Sequence, residues 1–115
     1  MLRISAAIAL CTFVVTAALS QPVTIKNGFG SGEDYLKMSQ PEQRAYAMGV
    51  VNGMLLAPLF GAPKNKMFQI ENCIVGMTDS QVAAILAKYL RDNPGRWHET
   101  PHAPMYAALL ESCPK

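Results

Sequence analysis

Apolar side chains recur three and four residues apart over most of this chain, and no stretch alternates apolar and polar residues long enough to argue for a sheet. Helices are therefore expected throughout. Residues 21–32 hold Pro22, Asn27, Gly28, Gly30 and Gly32, a density of breakers that predicts a flexible N-terminal segment. Ser31 and Asp34 have cap spacing for a short first helix through Met38. Ser39 and Glu42 form a capping-box pair, Pro41 is tolerated in the first turn, and a helix is predicted from about Gln40 to Ala57, where Pro58 ends it. Tyr46, Gly49, Val50, Gly53 and Ala57 share one face of it, with Gly49 and Gly53 one turn apart. Glycine costs ~1 kcal/mol in a helix interior, so two on one face argue for close approach of another backbone.

From Leu59 to Asn72 the signals conflict. Gly61, Pro63 and Asn65 mark a loop, while Met67, Phe68 and Ile70 give it apolar content. Thr78 and Gln81 repeat the capping box with Asp79 in the first turn, predicting a helix to about Asp92 that buries Val82, Ile85, Leu86, Tyr89 and Leu90. Lys88 and Arg91 suit its last turn, and Asn93-Pro94-Gly95 stops it. A final helix from about Ala103 to Ser112 is expected to bury Tyr106, Leu109 and Leu110, with Cys113 one turn further on. The fold class is all-α, a single small domain of four or five short helices.

The first twenty residues have a different pattern. Arg3 precedes an uncharged run from Ile4 to Leu19, and small residues Ala18 and Ser20 stand at the −3 and −1 positions before Gln21. That is the three-part form of a secretory leader, cleaved after Ser20. A run of 16 residues is short for the ~30 Å hydrocarbon core, which argues against an uncleaved anchor. Cys11 follows Leu10 inside the run, a poor setting for lipidation, and leaves with the leader. The expected organisation is thus a leader over 1–20, the flexible segment 21–32, and a helical domain over 33–115.

Losing Arg3 takes the ten Lys and Arg to nine, against eight Asp and Glu. A nearly neutral surface gives no electrostatic case for nucleic acid or an anionic membrane as partner. Of three cysteines only Cys73 and Cys113 then remain, and in an oxidising compartment two cysteines allow one intramolecular pairing. Loop-closure entropy over 40 residues makes such a disulfide worth about 4 kcal/mol.

Candidate chemistry is sparse. His98-Glu99-Thr100-Pro101-His102 matches H-E-x-x-H, but a zinc site of that type needs a continuous helix, and Pro101 and Pro104 interrupt one. No serine sits in a G-x-S-x-G elbow, no glycine loop for phosphate is present, and carboxylates are scattered apart from Glu33-Asp34. No metal, cofactor or catalytic residue is assigned, and the reading is of a binding protein rather than an enzyme. The uncharged span between Arg44 and Lys64 has a small-xxx-small face, yet Asn52, three glycines and Pro58 make it a poor membrane span.

From Tyr46 onward, Tyr46-x-x-Gly49-x-x-x-Gly53, Cys73-x-x-Gly76-Met77-Thr78 leading to Gln81, Tyr89-Leu90 before Asn93-Pro94, and Ala108-Leu109 before Cys113-Pro114 follow in order. This order resembles the Rap1a/Tai family of type VI secretion immunity proteins, over about two thirds of the chain. Val75 departs from a proline often found there in the family, as do Pro101 and Pro104 from its proline-free start of the last helix. The resemblance implies a periplasmic helical protein with an intramolecular disulfide that neutralises an effector toxin, a peptidoglycan-cleaving amidase, and is in several cases a homodimer.

Candidate partner anchors lie in the turn-rich stretches Leu59 to Phe68 and Gly95 to His102, where Phe60, Phe68 and Trp97 are large side chains beside breakers; the competing reading places all three over the core. The uncharged span suggests a homodimer contact at Gly49 and Gly53, against an alternative in which that face packs inside the monomer on the Val82 to Leu90 helix. A second function class is an acid-stress chaperone of the HdeA type, whose adaptable surface the seven methionines would supply.

Overall fold

Three capping boxes set the helix starts. Ser31 Oγ accepts from the Asp34 amide at 3.1 Å while the Asp34 carboxylate accepts from the Ser31 amide at 2.9 Å, opening α1 (Gly32–Lys37). Ser39 with Glu42 opens α2 (Gln40–Leu56), and Thr78 with Gln81 opens α4 (Asp79–Asp92), in the same reciprocal way. Each pair satisfies two of the amides that a helix start leaves bare. The structure, a computed structural model, describes residues 22–113; the leader expected over 1–20 lies outside the described residues.

Pro58 ends the α-helix as expected, with α2 closing at Leu56. It sits in the first turn of a 3-10 segment, Ala57–Phe60, that continues α2 and is closed by Gly61 in the left-handed region at φ 94°. Only glycine takes that conformation without strain. The stretch Leu59 to Asn72, where loop and helix signals conflict, then folds for most of its length as α3 (Lys64–Ile74). Pro63 stands at its N-cap with no side-chain hydrogen bond, so no capping motif marks it in the sequence. Its apolar stripe is Met67, Ile70 and Ile74, with Met67 and Ile70 buried.

Helix α4 is the centre of the bundle, with α1, α2 and α5 (His102–Ser112) packed around it. Tyr35, Leu86, Leu90, Met105 and Leu109 are fully buried. The buried face of α4 keeps Val82, Leu86 and Leu90 but turns toward Ala83 and Ala87, leaving Ile85 and Tyr89 half-buried. Small side chains at 83 and 87 let neighbouring elements close on both flanks of the stripe.

Helix α5 is rotated from the expected face. It buries Pro104, Met105, Ala108 and Leu109, with Tyr106 half-buried and Leu110 36% exposed. Met105, Leu109 and Cys113 stand four residues apart, and the bond from Cys113 to Cys73 pulls that line inward. The disulfide joins the last turn of α3 to the C-cap of α5, with Cα atoms 5.5 Å apart. Five α-helices, two 3-10 turns and no strand among the described residues make the domain all-α. None of these helices is long and apolar enough to cross a membrane.

Candidate binding surface

The turn that links α2 to α3 carries apolar side chains with nowhere to bury. Leu59 is 78% exposed, Phe60 86% and Phe68 59%, and Leu55 and Leu56 precede them on the last turn of α2. Leu55, Pro58, Met67 and Phe68 line one hollow of about 300 Å³ together with Lys64 and Glu71. Full burial of such a side chain is worth about 1.5–3 kcal/mol, so five in one corner form a surface that favours a partner. Backbone bonds from the Gly61 amide to the Ala57 and Pro58 carbonyls hold the turn that presents them.

Adjoining that hollow at Met67 lies a groove of about 640 Å³ between α2, α3 and the start of α5. Val50, Met54, Ala57 and Met67 give it apolar walls, Lys66 and Tyr106 bring the polar groups together with His102, and Gly53 leaves one wall without a side chain. No carboxylate lines it. Nothing lies within 4 Å of where a Cβ would stand at Gly49 or Gly53. The placement of that glycine face against the Val82 to Leu90 helix is therefore overturned. Helix α2 instead turns Ala47, Val50, Val51 and Met54 toward the core, because larger side chains remove more apolar area from water than bare glycine backbone.

Of the three aromatic candidates, Phe60 on the 3-10 turn and Phe68 on α3 are exposed, and Trp97 is half-buried. The Trp97 indole donates to the Leu90 carbonyl at 2.6 Å, and its own carbonyl accepts from the Glu33 amide at 3.2 Å. It packs half-buried against the core and ties α1 to the end of α4. Gly32 makes that possible, since a Cβ there would fall 2.8 Å from Leu90 Cδ2 and 3.1 Å from Trp97 Cα.

The H-E-x-x-H residues straddle a turn. Pro101 is the N-cap of α5, so His102 opens that helix while His98 lies before it. Glu99 accepts two bonds from Arg96, at 2.9 and 2.7 Å, which hold its carboxyl below the usual carboxylate range. Arg96 also donates to the Tyr89 hydroxyl at 2.7 Å, and its guanidinium lies over the Tyr89 ring, 5.6 Å from the centroid. Among the described residues no three His, Cys, Asp or Glu side chains gather as a metal site would require.

Sequence reasoning missed α3 and with it the groove. The i, i+3, i+7 spacing of Met67, Ile70 and Ile74 is the signal that marks the helix, and Pro63 at its N-cap is compatible with it. The chain matches no family model, no curated protein and no solved structure.

Proposed function

We propose that the protein is an exported, immunity-type binding protein that neutralises a secreted peptidoglycan-degrading enzyme by seating the Leu59–Phe60 turn and Phe68 against it. The observation that supports binding is the cluster of exposed apolar side chains at the α2–α3 corner, held on a hydrogen-bonded turn. A preformed turn loses little entropy on docking, and a few large anchors supply most of an interface's affinity. Export rests on the leader pattern of residues 1–20, and the class of partner rests on the Rap1a/Tai resemblance from Tyr46 onward. Trp97 belongs to the fold in this reading, and Phe60 and Phe68 are the anchors.

The test uses residues 21–115 with secreted cell-wall amidases as candidate targets. Inhibition of peptidoglycan cleavage is expected, and Phe60→Ala should weaken it by about 2 kcal/mol or more while leaving the helical circular dichroism unchanged. Full inhibition by the Phe60→Ala, Phe68→Ala double variant would remove the corner from the proposal. Suppression of client aggregation at acid pH, with no inhibition of the amidases, would replace it with the chaperone.

A further inference from the structure

We infer that the groove between α2, α3 and α5 holds the tail of a single-chain fatty carboxylate, with the Lys66 ammonium binding its head. The volume, about 640 Å³, lies within the ~300–1,000 Å³ range of small-molecule sites. Its walls are hydrocarbon from Val50, Met54, Ala57 and Met67, and the two methionines are unbranched and adapt to a flexible chain. Gly53 keeps the trough open, because any larger residue there would project into space that no atom of the fold occupies.

The charge in the groove is one-signed. Lys66 lines it without any carboxylate beside it, and Lys66 takes part in none of the ion pairs among the described residues. His102 and Tyr106 line the groove from α5. An apolar trough with a lone ammonium is complementary to an amphiphile whose head is an anion. A single lysine supplies one positive charge, which matches a singly charged carboxylate head and leaves a doubly charged phosphate only half neutralised. The groove shares Met67 with the hollow beside Phe68, but none of Leu59, Phe60 and Phe68 lines it, so it stands apart from the partner proposed above.

The experiment titrates residues 21–115 with dodecanoate below its micelle concentration, by calorimetry, beside dodecyltrimethylammonium, which has the same tail and the opposite head. Saturable binding of dodecanoate, about fivefold tighter than the cationic amphiphile, is the expected result, as an exposed ion pair supplies about that factor. Lys66→Glu should reverse the order. Gly53→Leu and Ala103→Leu fill the trough from opposite walls, and each should abolish saturable binding with the melting curve still cooperative. Equal binding of the two heads, binding that survives both filling variants, or binding lost on Phe60→Ala alone would each overturn the inference.

Discussion

The Tyr35 hydroxyl donates to the Ala83 carbonyl at 2.9 Å, joining α1 to the middle of α4 across 48 residues of sequence. Tyr35 is fully buried, its ring meeting Tyr46 edge-on with centroids 5.6 Å apart. Tyr35→Phe removes the bond and keeps the packing, and should cost about 1 kcal/mol in urea unfolding. Burial, aided by the charge of Tyr46, pushes the Tyr35 hydroxyl up from 10.0 to about 12. The unfolded tyrosine therefore loses its proton first. Its contribution is complete below pH 10 and declines as the pH rises toward 12, by roughly 1.4 kcal/mol for each pH unit in that window. The Tyr35→Phe protein should lack that share of the alkaline slope.

The disulfide closes a 40-residue separation between Cys73 and Cys113. Cys73→Ala should lower stability by roughly 2–5 kcal/mol, and reductant should then have no further effect on the variant's melting temperature. A wild-type melting temperature insensitive to reductant would contradict this.

The glycines of α1 and α2 separate into two kinds. Gly32→Ala drives a methyl group into Leu90 and the Trp97 backbone, and should cost roughly 1–3 kcal/mol by thermal denaturation. Gly49→Ala meets open space and should gain up to ~1 kcal/mol from helix propensity. Sedimentation adds a second readout, since a homodimer joined at the glycine face should weaken on Gly53→Leu while the monomer stays folded.

Acid acts through the helix caps. Hydrogen bonds from Ser31 hold the Asp34 carboxyl below its ordinary 3.8, and those from Ser39 hold Glu42 below 4.5. Depressed values mean that these contributions are complete above the ordinary carboxylate range and are lost as pH falls through the lowered values. Melting temperature should hold steady from neutrality to about pH 4.5 and then decline. Ser39→Ala should flatten that decline and cost about 1 kcal/mol at neutral pH.

Local chemistry made α1, α2 and α4 legible, because a serine or threonine followed three residues later by Asp, Glu or Gln fixes a helix start within the sequence itself. Cys73 and Cys113 were legible for the same kind of reason, as a pair with no third partner once Cys11 is assigned to the leader. What escaped depends on the other elements. Helix α3 starts on Pro63 without a cap bond, so its only local signal is the spacing of Met67, Ile70 and Ile74, which Gly61, Pro63 and Asn65 obscure until burial against α2 and its turn decides for the helix. The face of α5 is set by Cys113, at its far end, which moves Met105 inward in place of Tyr106. For the aromatics, spacing says nothing about whether an indole finds a carbonyl, as Trp97 does at Leu90, or a phenyl ring stays in water, as Phe60 does.

Helix α3 rests on α2 and the 3-10 turn, whereas α4 is enclosed by three helices. Amide exchange should record that difference as two classes of opening. The α4 amides exchange only when the whole domain unfolds, while those of α3 are reached by a smaller, cheaper excursion. Within α3 the excursion is graded. Its first turn has only Pro63 at the cap, but Cys73 near its end is tethered to α5, so protection should rise from Lys64 toward Ile74. Phe68 therefore lies toward the yielding end of a helix whose other end is pinned, while Phe60 stands on the hydrogen-bonded turn before it.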